Sequence, residues 1–397
     1  MTSLLAGVTL AAIAMVIYHL AIWPILLPKL AKGRQPHGPP DPPDLYASDA
    51  PQDWPAIALL VPAHNEARWI KDKIANTAAL DYPADRLRLV LGLDGCTDDT
   101  RAVAEATLAT PECAHLRCDI VENPHNLGKL GTLNARMAEI DEPLVALSDA
   151  SSVLSLDGLK LAATHFQDAA VAAVGGNYRV IEPGAEGESD FWKTQTNVKA
   201  LEAALGAPMG LHGAFYVMRR KLFTPVPPDT INDDFTIPMR LVEQGHRVVY
   251  EPRIMAVELE GSSSAVDFRR RQRIGAGNMQ QSLRHWRLLN PIRPGVALTF
   301  ASGKGMRPLI PFAMVVGLVG ALLLAPSSPL FALLASGQVA GYALISIVEL
   351  YPHARWPVEV RSLHYVVMAQ VASGLGGLSY LLGRHRKPWT RVSGAAS

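Results

Sequence analysis

The residues best suited to chemistry fall in short polar clusters, several of them directly after an apolar run. The first cluster is Pro62-Ala63-His64-Asn65-Glu66, after Ile57–Val61. The second is Asp94-Gly95-Cys96-Thr97-Asp98-Asp99-Thr100, after Leu87–Leu93. A carboxylate at the end of a strand can accept hydrogen bonds from a base or a ribose. It can equally belong to a turn that caps the next helix, a task for which Thr97 and Asp98 are suited. The third runs from Asn126 through Gly128, Lys129 and Gly131 to Asn134. Glycines at a helix start let the backbone approach a ligand closely, and the helix N-terminus favours an anion. Lys129 adds a charge suited to a nucleotide. The spacing is not that of a P-loop, because the Gly-Lys-Ser/Thr ending is missing.

Three further clusters add carboxylates and arginines. In Ser148-Asp149-Ala150-Ser151 a carboxylate and a hydroxyl are two residues apart. Such hard oxygen ligands suit Mg²⁺ or Mn²⁺ on a diphosphate, although Ser151 or Ser152 also suits a helix cap. Asn232-Asp233-Asp234-Phe235-Thr236-Ile237 opens a helical pattern. Acidic residues are common there for dipole reasons. Two adjacent carboxylates at the edge of a cleft also make a general base, one raising the other's pKa. Arg269–Arg271 and Arg273 precede Ile274-Gly275-Ala276-Gly277-Asn278. The arginines fit either anionic lipid head groups or, at Arg273, a leaving diphosphate.

The elements that must position these clusters follow from hydrophobic pattern. Strand-like runs at Ile57–Val61, Leu87–Leu93, Cys118–Val121 and Leu144–Leu147 alternate with helical patterns at Trp69–Leu80, Asp98–Leu108 and Lys129–Ile140. This alternation predicts an α/β domain with a mostly parallel sheet. Ligands of such sheets bind beyond the C-terminal strand ends, where the notable polar clusters are all expected to fall.

Composition sets the limits. Hydrophobic residues make up 49% of the 397 residues and charged residues 18%, with both chain ends nearly free of charge. A net charge of +1 gives no field that points to nucleic acid. Cys96, Cys113 and Cys118 lack CxxC spacing, which argues against a disulfide framework or a zinc site. Leu4–Leu27 is long and apolar enough for a hydrocarbon core of about 30 Å. Lys29, Lys32 and Arg34 follow it and predict a cytoplasmic location for the next domain. Three more apolar segments, about Pro308–Ala325, Leu330–Leu350 and Ser362–Gly383, close the chain. Three full spans there would put the C-terminus outside, whereas Arg384, Arg386, Lys387 and Arg391 favour the cytoplasm.

Taken together, the order and spacing of the clusters resemble glycosyltransferase family 2, inverting enzymes of the GT-A fold. The branch it resembles is that of the membrane-bound hyaluronan, chitin and poly-N-acetylglucosamine synthases, over about residues 55–290. The resemblance implies a nucleotide-diphospho-sugar transferase domain plus transmembrane helices. Its divisions would be an N-terminal transmembrane helix (1–28), a linker (29–55) and the GT-A domain (56–260). Interface helices with a QxxRW-like region (261–307), transmembrane segments (308–383) and a basic tail (384–397) would follow. Pro62, Ala63, His64 and Glu66 match PxxNE, Asp94 the nucleoside-contacting aspartate, and Lys129 the NxGK lysine; these imply donor binding, with Asp149. Asp149 and Ser151 stand where the family has its metal-binding DxD, implying Mg²⁺ or Mn²⁺. His212, Gly213 and Ala214, followed by Arg219, resemble the acceptor stretch. Asp233 and Asp234 match the Glu-Asp pair whose second member is the general base, and Arg273 matches the arginine of QxxRW. Here Ser151 replaces the second DxD carboxylate, and Ile274 replaces the Trp that supports a growing polymer. The implied activity moves a sugar, expected on UDP, to a polysaccharide or oligosaccharide acceptor. The alternative acceptor is a lipid such as a ceramide, diacylglycerol or polyprenyl phosphate. Membrane lipids are expected partners; no protein partner is indicated.

Overall fold

The structure, a computed structural model, describes residues 2–34, 45, 53–181, 197–260 and 264–384. Most of the expected linker and all but Arg384 of the expected basic tail lie outside the described residues. The chain divides into two compact units.

The larger unit takes in Ala31–Val266 and Arg287–Ala297. Its parallel half consists of β1 (Ile57–Ala63), β2 (Leu87–Asp94), β3 (Arg117–Asn123) and β4 (Leu144–Ser148). The intervening helices are α3 (Ile70–Ala78), α4 (Thr100–Leu108) and α5 (Gly128–Ala138). β1 is buried along its whole length, as befits a central strand covered on both faces. β3 carries exposed charges, which protect an edge.

The remaining strands are β5 (Ser152–Leu154), β6 (Val171–Val180), β7 (Phe215–Arg219) and β8 (Arg247–Glu258). They bring the sheet to eight strands in the order β3-β2-β1-β4-β7-β6-β8-β5. β7 runs antiparallel to both β4 and β6, while β8 is parallel to β6 and antiparallel to β5. The parallel arrangement expected from the sequence therefore holds for the first half and gives way to a mixed second half. Helices α6 (Gly158–His165), α7 (residues 197–204) and α8 (Asp233–Glu243) connect these strands.

The second unit is apolar and comprises Met1–Leu30, Asp267–Trp286 and Leu298–His385. α1 (Thr2–Ile17) passes through a π-helical turn, Tyr18–Ile22, into α2 (Trp23–Ala31), so the first helical segment runs past residue 28. A second π-turn, Ala301–Gly305, meets the first: Tyr18 Oη lies 2.8 Å from Ser302 Oγ, and His19 Nδ1 donates to the Ser302 carbonyl at 2.8 Å. α9 (Ser264–Arg284), α10 (Pro294–Phe300), α11 (Ile310–Leu324), α12 (Pro329–Leu350) and α13 (Val358–Leu381) complete the helices. α9 and α13 approach backbone to backbone, Gly275 against Ser373 and Gly376 against Gln272, a contact only small residues permit. Thr2–Ala31, Pro294–Ser327 and Pro329–Leu350 are long and apolar enough to cross a membrane. α13, expected from sequence as a further span, is outside that group; Glu359, Arg361 and His364 occupy its first half.

In the larger unit a half-buried cluster of polar and charged groups ties α6 to β8. Glu251 accepts from His165 Nε2 at 2.9 Å and from Arg253 Nη2 at 2.7 Å and Nε at 2.8 Å. Burial pushes the Glu251 carboxyl up, but the hydrogen bonds from Arg253 and His165 outweigh it and bring it down from 4.5 to about 2. A carboxyl lowered by folding stabilises the fold above its unfolded pKa, and that stability is lost as pH falls through the folded value. The loss should fall between pH 4.5 and about 2. Glu251→Gln should flatten the fall in chemical-denaturation midpoint across this window; an unchanged slope would contradict the assignment.

Candidate active site

The C-terminal ends of β1, β2 and β4 carry the clusters expected to act. The first two are bonded to each other. Thr97 N donates to Asn65 Oδ1 at 2.8 Å, and Glu66 N donates to Thr100 Oγ1 at 2.8 Å. Asn65 takes a positive φ of 56°, a strain that Asn tolerates better than most residues. Asp98 Oδ1 accepts from Thr100 N at 3.0 Å at the start of α4, whose cap position itself is Asp99. His64 Nδ1 donates to the Asp94 carbonyl at 2.6 Å.

Asp94, expected to face a nucleoside, is fully buried and gives both carboxylate oxygens to the protein. Oδ1 accepts from Asn123 Nδ2 at 3.0 Å and Leu127 N at 2.8 Å, while Oδ2 accepts from Gly128 N at 2.8 Å. The first N–H groups of a helix lack internal partners, and Asp94 satisfies those at the start of α5 from another element. The β2 end and this turn meet closely: a Cβ on Gly95 would lie 2.6 Å from Asn126 N.

With the α5 start held, Lys129 reaches two carboxylates. Its Nζ lies 2.9 Å from Asp149 Oδ1 and 3.3 Å from Asp233 Oδ2. Burial opposes the charge, but Asp149, Asp233 and Asp234 hold the Lys129 ammonium well above the ordinary lysine range. Asp233 and Asp234 open α8, where the helix dipole favours acidic side chains. The Asp234 carbonyl accepts from Leu211 N at 2.8 Å, which fixes the helix start against the segment leading into β7.

Gly213 is the point where the carboxylates converge. A methyl group on it would lie 3.7 Å from Asp149 Oδ2 and 3.9 Å from Asp234 Oδ2. Its neighbours in the triplet have other places. His212 is buried and stacks on Tyr178 at 5.5 Å between ring centroids. The Ala214 carbonyl accepts from Ser148 and Ser152. Arg219 holds backbone carbonyls of Val171 and Phe166. Ser151 is half-buried, and its carbonyl accepts from Leu259 N at 2.9 Å. Arg273 belongs to the apolar unit, where it is exposed on α9.

Pro62, Lys129, Asp149, Gly213, Tyr216 and Asp233 line one small cavity. Tyr216 was not singled out by the sequence; it reads as one more apolar strand position. Its buried hydroxyl has no hydrogen-bond partner among the described residues, and burial together with the three aspartates pushes it well up.

Among the described residues no group of three His, Cys, Asp or Glu is gathered to enclose a metal ion. Mg²⁺ and Mn²⁺ do not need such a cage, because one or two carboxylates and substrate phosphates suffice. Asp149 Oδ2 and the Asp234 carboxylate border the space at Gly213, so the donor set fits a hard cation that arrives with a diphosphate.

Residues 55–277, which hold nearly all of this geometry, match the sequence family described as "Glycosyltransferase like family 2". An N-acetylglucosaminyltransferase of Mesorhizobium japonicum is 23% identical over 278 residues, 65% of this chain and 64% of that protein. A beta-monoglucosyldiacylglycerol synthase of Synechocystis sp. is 27% identical over 303 residues, 72% of this chain and 61% of that protein. The match thus spans less than two thirds of either relative's length. Among solved structures, the mannosyltransferase PcManGT from Pyrobaculum calidifontis, in complex with GDP-Man and Mn²⁺, superposes with a TM-score of 0.69. The superposition covers 94% of this chain and 99% of that one at 21% identity, which shows a shared fold.

The convergence at Gly213 makes a specific prediction. The added methyl of Gly213→Ala meets only ordinary contacts of 3.6 Å and more, so folding should be unaffected. The same methyl occupies the space between Asp149 and Asp234, so turnover should fall by roughly 10²-fold, the scale of a small misplacement of reacting groups. Steady-state kinetics beside a melting curve test this; wild-type turnover in a well-folded variant would contradict it.

Proposed function

The chain belongs to glycosyltransferase-like family 2, and from that premise we propose that it is an inverting, membrane-bound sugar transferase that uses a nucleotide-diphospho-sugar. The sheet is of the GT-A type. The observation that carries the proposal is the gathering of Lys129, Asp149, Asp233 and Asp234 around Gly213 at the strand ends.

The reaction is one displacement at the anomeric carbon. The Asp234 carboxylate takes the proton of an acceptor hydroxyl as that oxygen forms its bond to the anomeric carbon. The bond from the anomeric carbon to the phosphate oxygen breaks, and the nucleoside diphosphate departs with the electron pair. Asp233, paired with Lys129, sets the field around Asp234. Lys129 offers a positive charge to the departing phosphates, and Arg273 is assigned the same task from its place in the sequence pattern. A divalent cation held by Asp149, when bound, would neutralise the diphosphate. The PxxNE residues and Asp94 shape the nucleoside side, Asp94 by holding the Asn126–Lys129 turn.

UDP is the nucleotide expected from the family resemblance, and GDP is its competitor because PcManGT was solved with GDP-Man. The acceptor is a saccharide, the reading implied by the family resemblance. The membrane-length helices and the diacylglycerol-modifying relative favour a second reading, a lipid acceptor. An oligomer ladder among the products supports the first, and a single lipid-soluble product the second. If Thr2–Ala31, Pro294–Ser327 and Pro329–Leu350 cross the membrane and α13 does not, the family unit and the basic C-terminus share the cytoplasmic side.

Asp234→Asn should bind the donor with wild-type affinity and lose about 10²–10⁴-fold in kcat. Donor titration and single-turnover kinetics separate the two quantities. Unchanged turnover would remove Asp234 from its role.

A further inference from the structure

The residues that α3 buries are Ile70, Lys73, Ile74 and Thr77, the stripe of an amphipathic helix. Lys73 holds a core place in that stripe with 0% exposure. An ammonium there is costly, whereas Met or Leu would fill the volume without the penalty. Burial pushes Lys73 down to about 7 against the attraction of Asp149 and Glu258. A local choice that conflicts with its surroundings in this way is characteristic of functional positions.

The contacts of Lys73 indicate what the charge does. Its Nζ donates to Ser148 Oγ at 2.6 Å and to the Ser152 carbonyl at 2.8 Å, one on each side of Asp149. The hydroxyls of Ser148 and Ser152 donate in turn to the Ala214 carbonyl at 2.6 and 3.0 Å. Lys73 thus ties together the two ends of the Asp149 turn, whose serine hydroxyls in turn hold the Ala214 carbonyl beside Gly213. Attachment of α3 to the sheet does not need it. Asn76, on the same helix, already exchanges hydrogen bonds with the Leu154 backbone at 2.9 and 2.8 Å.

We infer that Lys73 is a positioning residue, which locks the Asp149 turn against the Gly213–Ala214 segment from behind. The inference rests on the proposed sugar transfer. It concerns a residue that touches neither donor nor acceptor and acts through Ser148, Ser152 and Ala214.

The test compares full-length wild type, Lys73→Met and Lys73→Gln in lipid nanodiscs. Lys73→Met removes the donors; Lys73→Gln keeps amide donors without the charge. Lys73→Met should lose roughly 10²-fold in kcat with donor KM within about threefold, the signature of misplaced reacting groups. Lys73→Gln should fall between it and wild type. Melting temperatures should stay within about 4 °C, because exchanging a buried charge for an apolar group is often neutral. Equal kcat in all three proteins, or a kcat loss matched by a comparable change in KM or melting temperature, would overturn the inference. Should Lys73→Met fail to fold, Lys73→Gln is compared with wild type by the same criteria. Hydrogen exchange of the 148–152 amides, measured without substrate, should be faster in the folded variants than in wild type. Unchanged protection would also overturn the inference, whatever the fate of the transferase reading. Absence of wild-type turnover on any nucleotide sugar counts against that reading alone.

Discussion

The site depends first on the carboxylate of Asp94. Buried at the end of β2, it accepts the side-chain amide of Asn123 and the backbone N–H groups of Leu127 and Gly128. Those bonds fix where α5 begins and hence where Lys129 emerges. Lys129 then bridges Asp149 from β4 and Asp233 from α8. Three elements distant in sequence are brought to one point by a residue that contributes nothing to the open face. The consequence is electrostatic. The carboxylates of Asp149, Asp233 and Asp234 outnumber Lys129, and a diphosphate adds more negative charge in a partly buried place where Coulomb terms are strong. Further positive charge has to come with the substrate or from another part of the chain. Under the proposed function a hard cation would meet this need, and Arg273 has its proposed task in the same terms.

Much of this was legible in the sequence, and the remainder was illegible for identifiable reasons. β1, β2 and β4 announce themselves as apolar runs because parallel central strands are buried on both faces. The polar clusters after them fall where such a sheet opens. β5, β6, β7 and β8 are not legible in the pattern, since their pairing depends on contacts across long stretches of chain. Asp94 looks like a ligand contact because a one-dimensional pattern does not reveal which donors a carboxylate finds. Lys73 escaped because a lysine within a helix reads as surface. The signal was present in its register with Ile70 and Ile74. His212 shows the reverse: a polar residue beside Gly213 that belongs to an aromatic cluster of the sheet.

Family membership and fold carry the chemistry only to the class of reaction. The same architecture serves many transfers, and the choice among them lies in particular side chains. Here the particulars, as the resemblance aligns them, are Ser151 at the second DxD carboxylate and Ile274 at the QxxRW tryptophan. Under the proposed function the first would leave Asp149 as the main cation ligand. The second, by the family resemblance, would lack the aromatic support of a growing polymer and so favour the proposed alternative of a single transfer to a lipid.

The central claim is that these carboxylates serve transfer of a sugar from a nucleotide. Membranes carrying the protein, incubated with UDP-, GDP- and dTDP-sugars and Mg²⁺ or Mn²⁺, test it by mass spectrometry of products. One donor should be consumed to its nucleoside diphosphate, with a matching glycosylated product that control membranes lack. If no donor is consumed beyond the control, or pyrophosphate is released in place of a nucleoside diphosphate, the account is contradicted.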